Sequence, residues 1–520
     1  MLQKSNMITV RRLAYVVGAL LIVACGGVAK SGFNNDGGKD GTVGGGGSSG
    51  QGGSGGAGGS GGINLGGSDA GDSPTGACTG IACDVQSCSG GGATTVTGYV
   101  YAPNGQLPLY DVQVFIPNTA LAPLTKGVQC ENCGAPLSGE PIATALSDPT
   151  GHFLLTGVPT GTNVPIVVQL GKWRREAYIP TVAGCTTNTL TDPNLTRLPK
   201  NQMEGNIPHV ALTTGGCDQM GCMLAKIGLD PTEFGTQADG YNKAINIYNG
   251  QGGSYLTTGA TAAMALWGDA TNLATYDEAI FSCECSEAPG SKGSFGSPAF
   301  GVVTDYLNAG GRIFTTDYQY TWYKFSPDPM IGETTPGSPT TGLGQMAGGA
   351  PVPEPYPGQP PMVLSTTIPK AAALAAWLKN IFSGVPLPSG ATYPLDMYSQ
   401  MGEVSPDVIF CNVQSLNPAE TIDWADSSQT GGGCTGGSPG PRIFTVDTPV
   451  GVTPTMQCGR GVHIDAHVDN TGQTVGPGFP TTGCSATLKA DEAAFAFFFF
   501  DLSSCISNEH MPPPPPPVVK

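Results

Sequence analysis

Charge is sparse in this 520-residue chain. Charged side chains make up 12% of it, 22 Lys and Arg against 39 Asp and Glu, for a formal net charge of −17. Without a basic footprint, nucleic acid is excluded as a partner. The densest basic point, "KWRRE" at Lys172–Glu176, is small and reads as a solvated strand face. Histidine is scarce too, five in all, so imidazole chemistry has few places to sit. Long apolar runs are missing. The stretches Leu13–Ala24 and Phe495–Phe500 are both too short to span a bilayer. No serine nucleophile elbow stands between a strand and a helix. "NIYNGQGGSY" sets glycines after a strand without the spacing G-x-G-x-x-G, which argues against a nucleotide cradle.

What is abundant is Gly (79) and Pro (45), a balance that fits loop-rich modules joined by linkers. Lys4, Arg11 and Arg12 precede the apolar stretch Leu13–Ala24, the layout of a secretory signal over residues 1–25. It ends "IVACGG", which resembles a bacterial lipobox. The resemblance implies that Cys25 is lipidated and becomes the mature N-terminus. Gly26 after it implies, by similarity to Gram-negative lipoproteins, the outer membrane, with the protein facing the periplasm or the cell surface. Residues 26–77 are dominated by Gly and Ser and are expected to be a disordered tether. About 40 such residues reach roughly 35 Å root-mean-square. Residues 508–520 form a Pro-rich tail, with polyproline II character in "PPPPPP".

Sixteen cysteines are present. Export makes disulfides the expected state. The candidates, once Cys25 is set aside, are Cys78, Cys83, Cys88, Cys130, Cys133 and Cys185 in the first half. Cys217, Cys222, Cys283, Cys285, Cys411, Cys434, Cys458, Cys484 and Cys505 follow in the second. Nine is odd, so either a thiol is left over or a bridge joins the halves. Connectivity does not follow from sequence.

Two folded modules are expected, making a multidomain α+β protein. Residues 78–200 hold short alternating runs broken by Pro/Asn/Gly turns, such as "VTGYVYAPNG", "YDVQVFIPN" and "ALSDPTGHFLLTGVP". These predict a small Cys-stapled β-sandwich. The segment about 94–185 resembles a carboxypeptidase regulatory-like domain with a transthyretin-like sandwich, through its G-x-V and D-x-x-G-x-F-x-L-x-x-V-P-x-G pattern. That resemblance implies a non-catalytic accessory or binding role.

Over residues 205–507 strands alternate with helices. "KAINIYNG", "YDEAIFSCE", "GGRIFTTDY", "RIFTVDTPV" and "RGVHIDAHV" read as strands. Ser297-Pro298 opens one helix, "IPKAAALAAWLKNIF" forms a second, and "EAAFAFFFFDLSSC" forms a last, core-buried one. The pattern predicts an open, mainly parallel sheet with helices on both faces, interrupted by a Pro/Gly-rich insertion at about 326–360. This order resembles the class I glutamine amidotransferase-like, flavodoxin-like architecture. The whole layout is similar to a family of myxobacterial surface lipoproteins, through segments such as "LTRLPKNQMEGNIPHVALTTGGCD" and "AFFFFDLSSC". That family implies architecture and carries no assigned chemistry.

Amidotransferase-type enzymes place a nucleophilic Cys on the turn after a strand and a base in an H-x-E pattern. Here "HID" and "HVD" imitate the second element, but the turn Asp317–Tyr320 offers neither Cys nor Gly. Covalent catalysis has no starting point without an activated nucleophile, so the expectation leans away from an enzyme. At period two, His463, Asp465, His467 and Asp469 fall on one side of a strand. Imidazoles and carboxylates so placed are the chain's candidate metal ligands, with Asp317 and Asp447 nearby. A divalent metal is the one cofactor this admits; no other is indicated. The leading expectation is a non-catalytic, lipid-anchored surface lipoprotein that binds a surface protein or glycan or acts structurally. The alternatives are a metal-dependent hydrolase around His463 and His467, and a carbohydrate-binding accessory protein using Trp173, Trp322, Trp377 and Trp424.

Overall fold

The chain divides into two compact units, Met1–Thr75 and Gly76–Lys520. The structure, a computed structural model, describes residues 78–253, 259–293, 296–333, 342–346, 362–382, 403–404, 408–409, 411–427, 440–468, 479, 484, 488 and 490–514. Residues 1–77, which include Cys25, together with Cys434, Asp469 and most of the Pro/Gly-rich stretch at about 326–360, lie outside the described residues.

The second unit begins with β1 (Thr95–Tyr99), β2 (Gln113–Pro117), β3 (Pro141–Leu146), β4 (His152–Thr156), β5 (Gly161–Leu170), β6 (Trp173–Val182) and β7 (Thr187–Thr189). They form two sheets, ordered β4-β1-β7 and β3-β2-β5-β6. Period-two burial is plain in β4, where Phe153 and Leu155 point in and Leu154 points out. Val96, Phe153 and Leu155 of one sheet share a core with Val114, Ile166 and Val168 of the other. Over Thr95–Thr189 every regular strand belongs to one of these two sheets.

The α/β part contributes β8 (Val210–Thr213), β9 (Phe234–Thr236), β10 (Ile245–Asn249), β11 (Thr261–Ala262), β12 (Glu278–Phe281) and β13 (Arg312–Thr316). After these come β14 (Gly344–Met346), β15 (Met362–Leu364), β16 (Glu403–Val404), β17 (Val408–Ile409) and β18 (Val413–Leu416). The last are β19 (Ile422–Ser427), β20 (Gly440–Thr448), β21 (Gly459–Ile464) and β22 (Ala466–His467). The large sheet runs β11-β10-β8-β12-β13-β21-β20-β19-β15-β16, with β9 also on β10. From β11 to β21 every pairing is parallel. From β21 to β16 every pairing is antiparallel. The expectation of a mainly parallel sheet thus describes one half of it. The antiparallel wing exists because β20 returns directly beside β21 through a short connection, which needs no crossover helix.

The terminal helix Ala490–Ser503 explains its own composition. Phe495 lies 6.1 Å from Phe314 on the sheet, Phe498 lies 4.9 Å from Trp424, and Phe497 lies 5.4 Å from Trp377. Phe499 and Phe500 meet Trp173 of the sandwich. A helix covered on every side can be apolar on every side.

The sandwich docks onto that helix through the β5–β6 hairpin. Gly171 at the hairpin tip has φ +52°, and a Cβ there would fall 2.0 Å from the Ser503 carbonyl oxygen; only glycine permits the approach. Trp173 Nε1 donates to Ser503 Oγ at 3.3 Å, and Lys172 Nζ reaches Asp277 Oδ1 at 2.6 Å. Arg174 is buried and donates to the Ala122 carbonyl at 2.8 Å. The reading of Lys172–Glu176 as a solvated face is corrected here, because its first three residues are the joint between the modules.

Six disulfides join described residues: Cys78–Cys83, Cys88–Cys185, Cys130–Cys458, Cys133–Cys505, Cys217–Cys285 and Cys222–Cys484. Cys411 is also disulfide-bonded. Two bridges, Cys130–Cys458 and Cys133–Cys505, tie the halves together. Cys283 is the exception. It is a free, buried thiol among the described residues, which corrects its place among the disulfide candidates.

Candidate functional site

In open α/β sheets, ligands bind beyond the carboxyl ends of the parallel strands, at the point where strand order reverses. Here β10 lies on one side of β8 and β12 on the other, so the reversal falls between β8 and β12. The loops that follow them are clamped by Cys217–Cys285. A Cβ on Gly215 would fall 1.8 Å from the Cys283 carbonyl oxygen. The usual crevice is therefore closed, and the chemistry-bearing side chains gather over β12, β13 and β21.

Cys283 follows β12 by two residues and Asp317 follows β13 directly. Asp317 has φ +41°, a left-handed conformation that costs a non-glycine residue about 1–3 kcal/mol and collects at functional sites. Its carboxylate is the hub. Cys283 Sγ donates to Oδ2 at 2.9 Å, and His467 Nε2 lies 2.8 Å from the same oxygen. Asn412 Nδ2 donates to Oδ1 at 2.6 Å and to Asp465 Oδ1 at 2.8 Å. Asp465 also accepts from the Asn412 backbone N–H at 2.7 Å. Asp218, after β8, accepts from the Val468 backbone N–H at 3.3 Å. Cys283, Asp317, Asn412, Asp465 and Asp218 are fully buried, and His467 keeps 8% of its surface exposed.

The surrounding loops are locked. Cys283 N–H donates to Thr316 Oγ1 at 3.0 Å, and Gln319 Nε2 donates to the Ser282 carbonyl at 2.8 Å. Buried Lys292 pairs with Glu284 at 3.0 Å.

The three described members of that set, His463, Asp465 and His467, do not converge on one point. Strand β21 ends at Ile464, Asp465 sits in a bend, and β22 pairs with β17 rather than with the large sheet. The alternation is broken at the point where it mattered. His463 turns toward Tyr323 and Phe444, with Nδ1 3.0 Å from Thr315 Oγ1. Its Nε2 stands 3.9 Å from Asp465 Oδ1. Asp469 lies outside the described residues. Of that set only His467 enters the compact group. Cys283, Asp317 and His467 place one S, one O and one N donor within 4.8 Å of one another, and this group could hold a metal ion. Asp447, the other nearby carboxylate, is taken by Arg460.

The electrostatics favour protons on this cluster. Burial, then the Asp317 charge and hydrogen bond, push the Cys283 thiol well above its ordinary range. Burial alone would lower His467, but its hydrogen bond to Asp317 and the charges of Asp317, Asp218 and Asp465 raise it on balance. Burial pushes Asp465 up to about 7 and Asp218 up to about 6. Burial lowers His463 to about 3, so that imidazole stays neutral. A protonated thiol facing a carboxylate is not a nucleophile.

These shifts set a pH dependence. Burial also raises Glu278 to about 8, and Asp111 and Asp423 each to about 7. An acid with a raised folded pKa binds more protons folded than unfolded. Its contribution is full below the unfolded value near 4 and is lost as pH rises through its folded value. His463 runs the other way, losing its contribution as pH falls from about 6.5 towards 3. The carboxyls outnumber it. Urea unfolding is expected to give a higher midpoint at about pH 5 than at about pH 8; a higher midpoint at the alkaline end would contradict these environments.

Trp173, Trp322, Trp377 and Trp424 are all buried, so none of the four is an exposed stacking platform for a sugar. Their roles are in the core. No helix among the described residues is long and apolar enough to cross a membrane.

Comparison with known proteins adds little. No family model matches the chain, and no curated protein matches it. Among solved structures, the chain is similar to a C-terminal interface mutant of a type II cohesin–X-dockerin complex from Acetivibrio cellulolyticus. That match has 15% identity and a TM-score of 0.13, over 28% of this chain and 75% of that one. It is also similar to an N-terminal interface mutant of the same type II complex, at 15% identity and a TM-score of 0.15, over 26% of this chain and 85% of that one. Scores this low carry no argument about fold or function.

Proposed function

We propose that the chain is a non-catalytic, outer-membrane-anchored surface lipoprotein whose tethered body is a binding or structural module. The observation that carries the reading is the state of Cys283. The thiol stands after β12, beside the Asp317–Tyr320 turn where a nucleophile is expected, and its partner there is the Asp317 carboxylate rather than an imidazole. The base and nucleophile of an acyl-transfer enzyme have to meet.

Two further features support a role away from chemistry. The disulfides suit an oxidising, extracytoplasmic setting. They also weld sandwich and α/β part into one body, as a rigid display or scaffold element requires. In this reading the sandwich is a carboxypeptidase regulatory-like module, for which the sheets β4-β1-β7 and β3-β2-β5-β6 are suitable. The order β10-β8-β12-β13-β21 is the 2-1-3-4-5 order of flavodoxin-like sheets, which suits an amidotransferase-like ancestry. The ligand is a surface protein or glycan met by another part of the surface than the four buried tryptophans.

Anchoring is tested by metabolic labelling. Radiolabelled palmitate is expected to enter the wild-type chain in its Gram-negative host and to be lost from Cys25→Ser. Equal labelling of both would sink the anchoring claim.

A further inference from the structure

We propose that Cys283, Asp317 and His467 form a binding site for one thiophilic divalent cation of the zinc class. The inference concerns the α/β core alone and does not depend on anchoring or on the ligand of the surface.

The donor set comes first. Thiolate sulfur, carboxylate oxygen and imidazole nitrogen are the three ligand types of zinc, at about 2.3, 2.0–2.2 and 2.0–2.1 Å. Around a tetrahedral ion those bonds put neighbouring donors roughly 3.3–3.8 Å apart. In the structure Sγ and Nε2 stand 2.9 and 2.8 Å from the shared Asp317 Oδ2. All three donor atoms lie within 4.8 Å of one another. Lengthening the two contacts to Oδ2 by about 0.5–1 Å each admits the ion. Asp317 directly follows β13 and Cys283 follows its parallel neighbour β12 by two residues, while His467 lies on β22, just beyond the bend that ends β21.

The second shell is also in place. Metal-binding carboxylates are oriented by outer hydrogen bonds. Asn412 Nδ2 holds Asp317 Oδ1 and is itself fixed by Asp465, so Oδ2 is turned toward Cys283 and His467. Asp218 is a further buried carboxylate whose charge acts on Cys283 and His467.

Charged groups surround the site. Three buried carboxylates, Asp218, Asp317 and Asp465, face this space. The cations acting on them are His467 and Arg442. Binding M2+ displaces the Cys283 thiol proton to solvent, because a cysteine ligates as thiolate. Affinity must then rise with pH. The site also accounts for the isolation of Cys283. It is the free thiol among described cysteines that are otherwise bridged, and a metal-ligating thiol has to stay unbridged. His467, whose side chain is 10% exposed, supplies the edge through which the ion arrives.

The test uses the full chain, stripped with EDTA, its disulfides verified by non-reducing peptide mapping, and titrated with Co2+. Saturation is expected at one equivalent, with thiolate-to-cobalt charge-transfer absorption and release of protons on binding. Cys283→Ser should lose the charge-transfer band. His467→Ala should lose at least ~100-fold in affinity. His463→Ala should keep both band and stoichiometry. Absence of a thiolate band in the folded wild-type chain would overturn the site, and this arm needs no variant to fold. A band retained in Cys283→Ser, or lost equally in His463→Ala, would overturn the assignment of ligands.

Discussion

Arg460→Met is expected to destabilise the folded body by about 3–5 kcal/mol, because it removes one partner from a buried ionic network. Arg460 is fully buried at the second position of β21. Its Nε and Nη2 donate to the two oxygens of Asp447 at 2.7 and 2.9 Å. Its Nη1 lies 3.0 Å from Glu509 and 3.6 Å from Asp501. Lys370 adds a second buried cation, 2.8 Å from Asp501 and 3.5 Å from Glu509. Asp111 of the sandwich feels both cations. The substitution leaves Asp501 and Glu509 with Lys370 alone and takes from Asp447 its bidentate partner, and that geometry is one that Arg460→Lys would not restore. Because the network joins β20, β21, the terminal helix and the chain beyond it, the effect should appear in the whole unfolding transition. Urea denaturation of oxidised protein measures it. A loss under about 1 kcal/mol would show that the network is solvated after all.

The second large effect concerns reactivity. In metal-free native protein, Cys283 is expected to resist alkylation at neutral pH and to become fully reactive on unfolding. Thiolate is the reacting species, and three features of the site oppose it: complete burial, the Asp317 charge, and a hydrogen bond in which the thiol is the donor. His467 cannot serve as a base for Cys283 while its own Nε2 is engaged with Asp317. The same geometry that makes the thiol inert to electrophiles suits exchange of its proton for a soft cation, whose affinity outweighs the cost of deprotonation. An inert thiol and a metal site are therefore two consequences of one arrangement.

Much of the fold was legible in local pattern. Ser297-Pro298 and Gly310-Gly311 mark the helix Pro298–Asn308, and Arg312–Thr316 is the strand that follows. Such signals are carried by neighbours in the chain. The antiparallel wing was not legible, since β20 reads as a buried strand whichever way its partner runs. The joint at Lys172–Arg174 was missed for a related reason: a basic hairpin tip looks solvated until the terminal helix and Asp277 are placed against it. The site was half legible. His467 stood out as one of five histidines. Its grouping did not, because a bend at Asp465 breaks the period-two alternation on which the His463/Asp465/His467/Asp469 set depended. Asn412 gave no signal at all. Cys283 gave a faint one, in the odd number of cysteines after mid-chain, but its partner Asp317 is distant in sequence and only strand order brings them together.

The central claim is that the strand-end cluster holds a protonated, unactivated thiol rather than a nucleophile. It is tested most directly by following iodoacetamide adducts on the peptide carrying Cys283, in native metal-free protein across neutral pH, by mass spectrometry. The account predicts no native adduct, and complete modification once the chain is unfolded. Rapid native labelling with a rate that already plateaus near pH 7 would reveal a thiolate–imidazolium pair and contradict it.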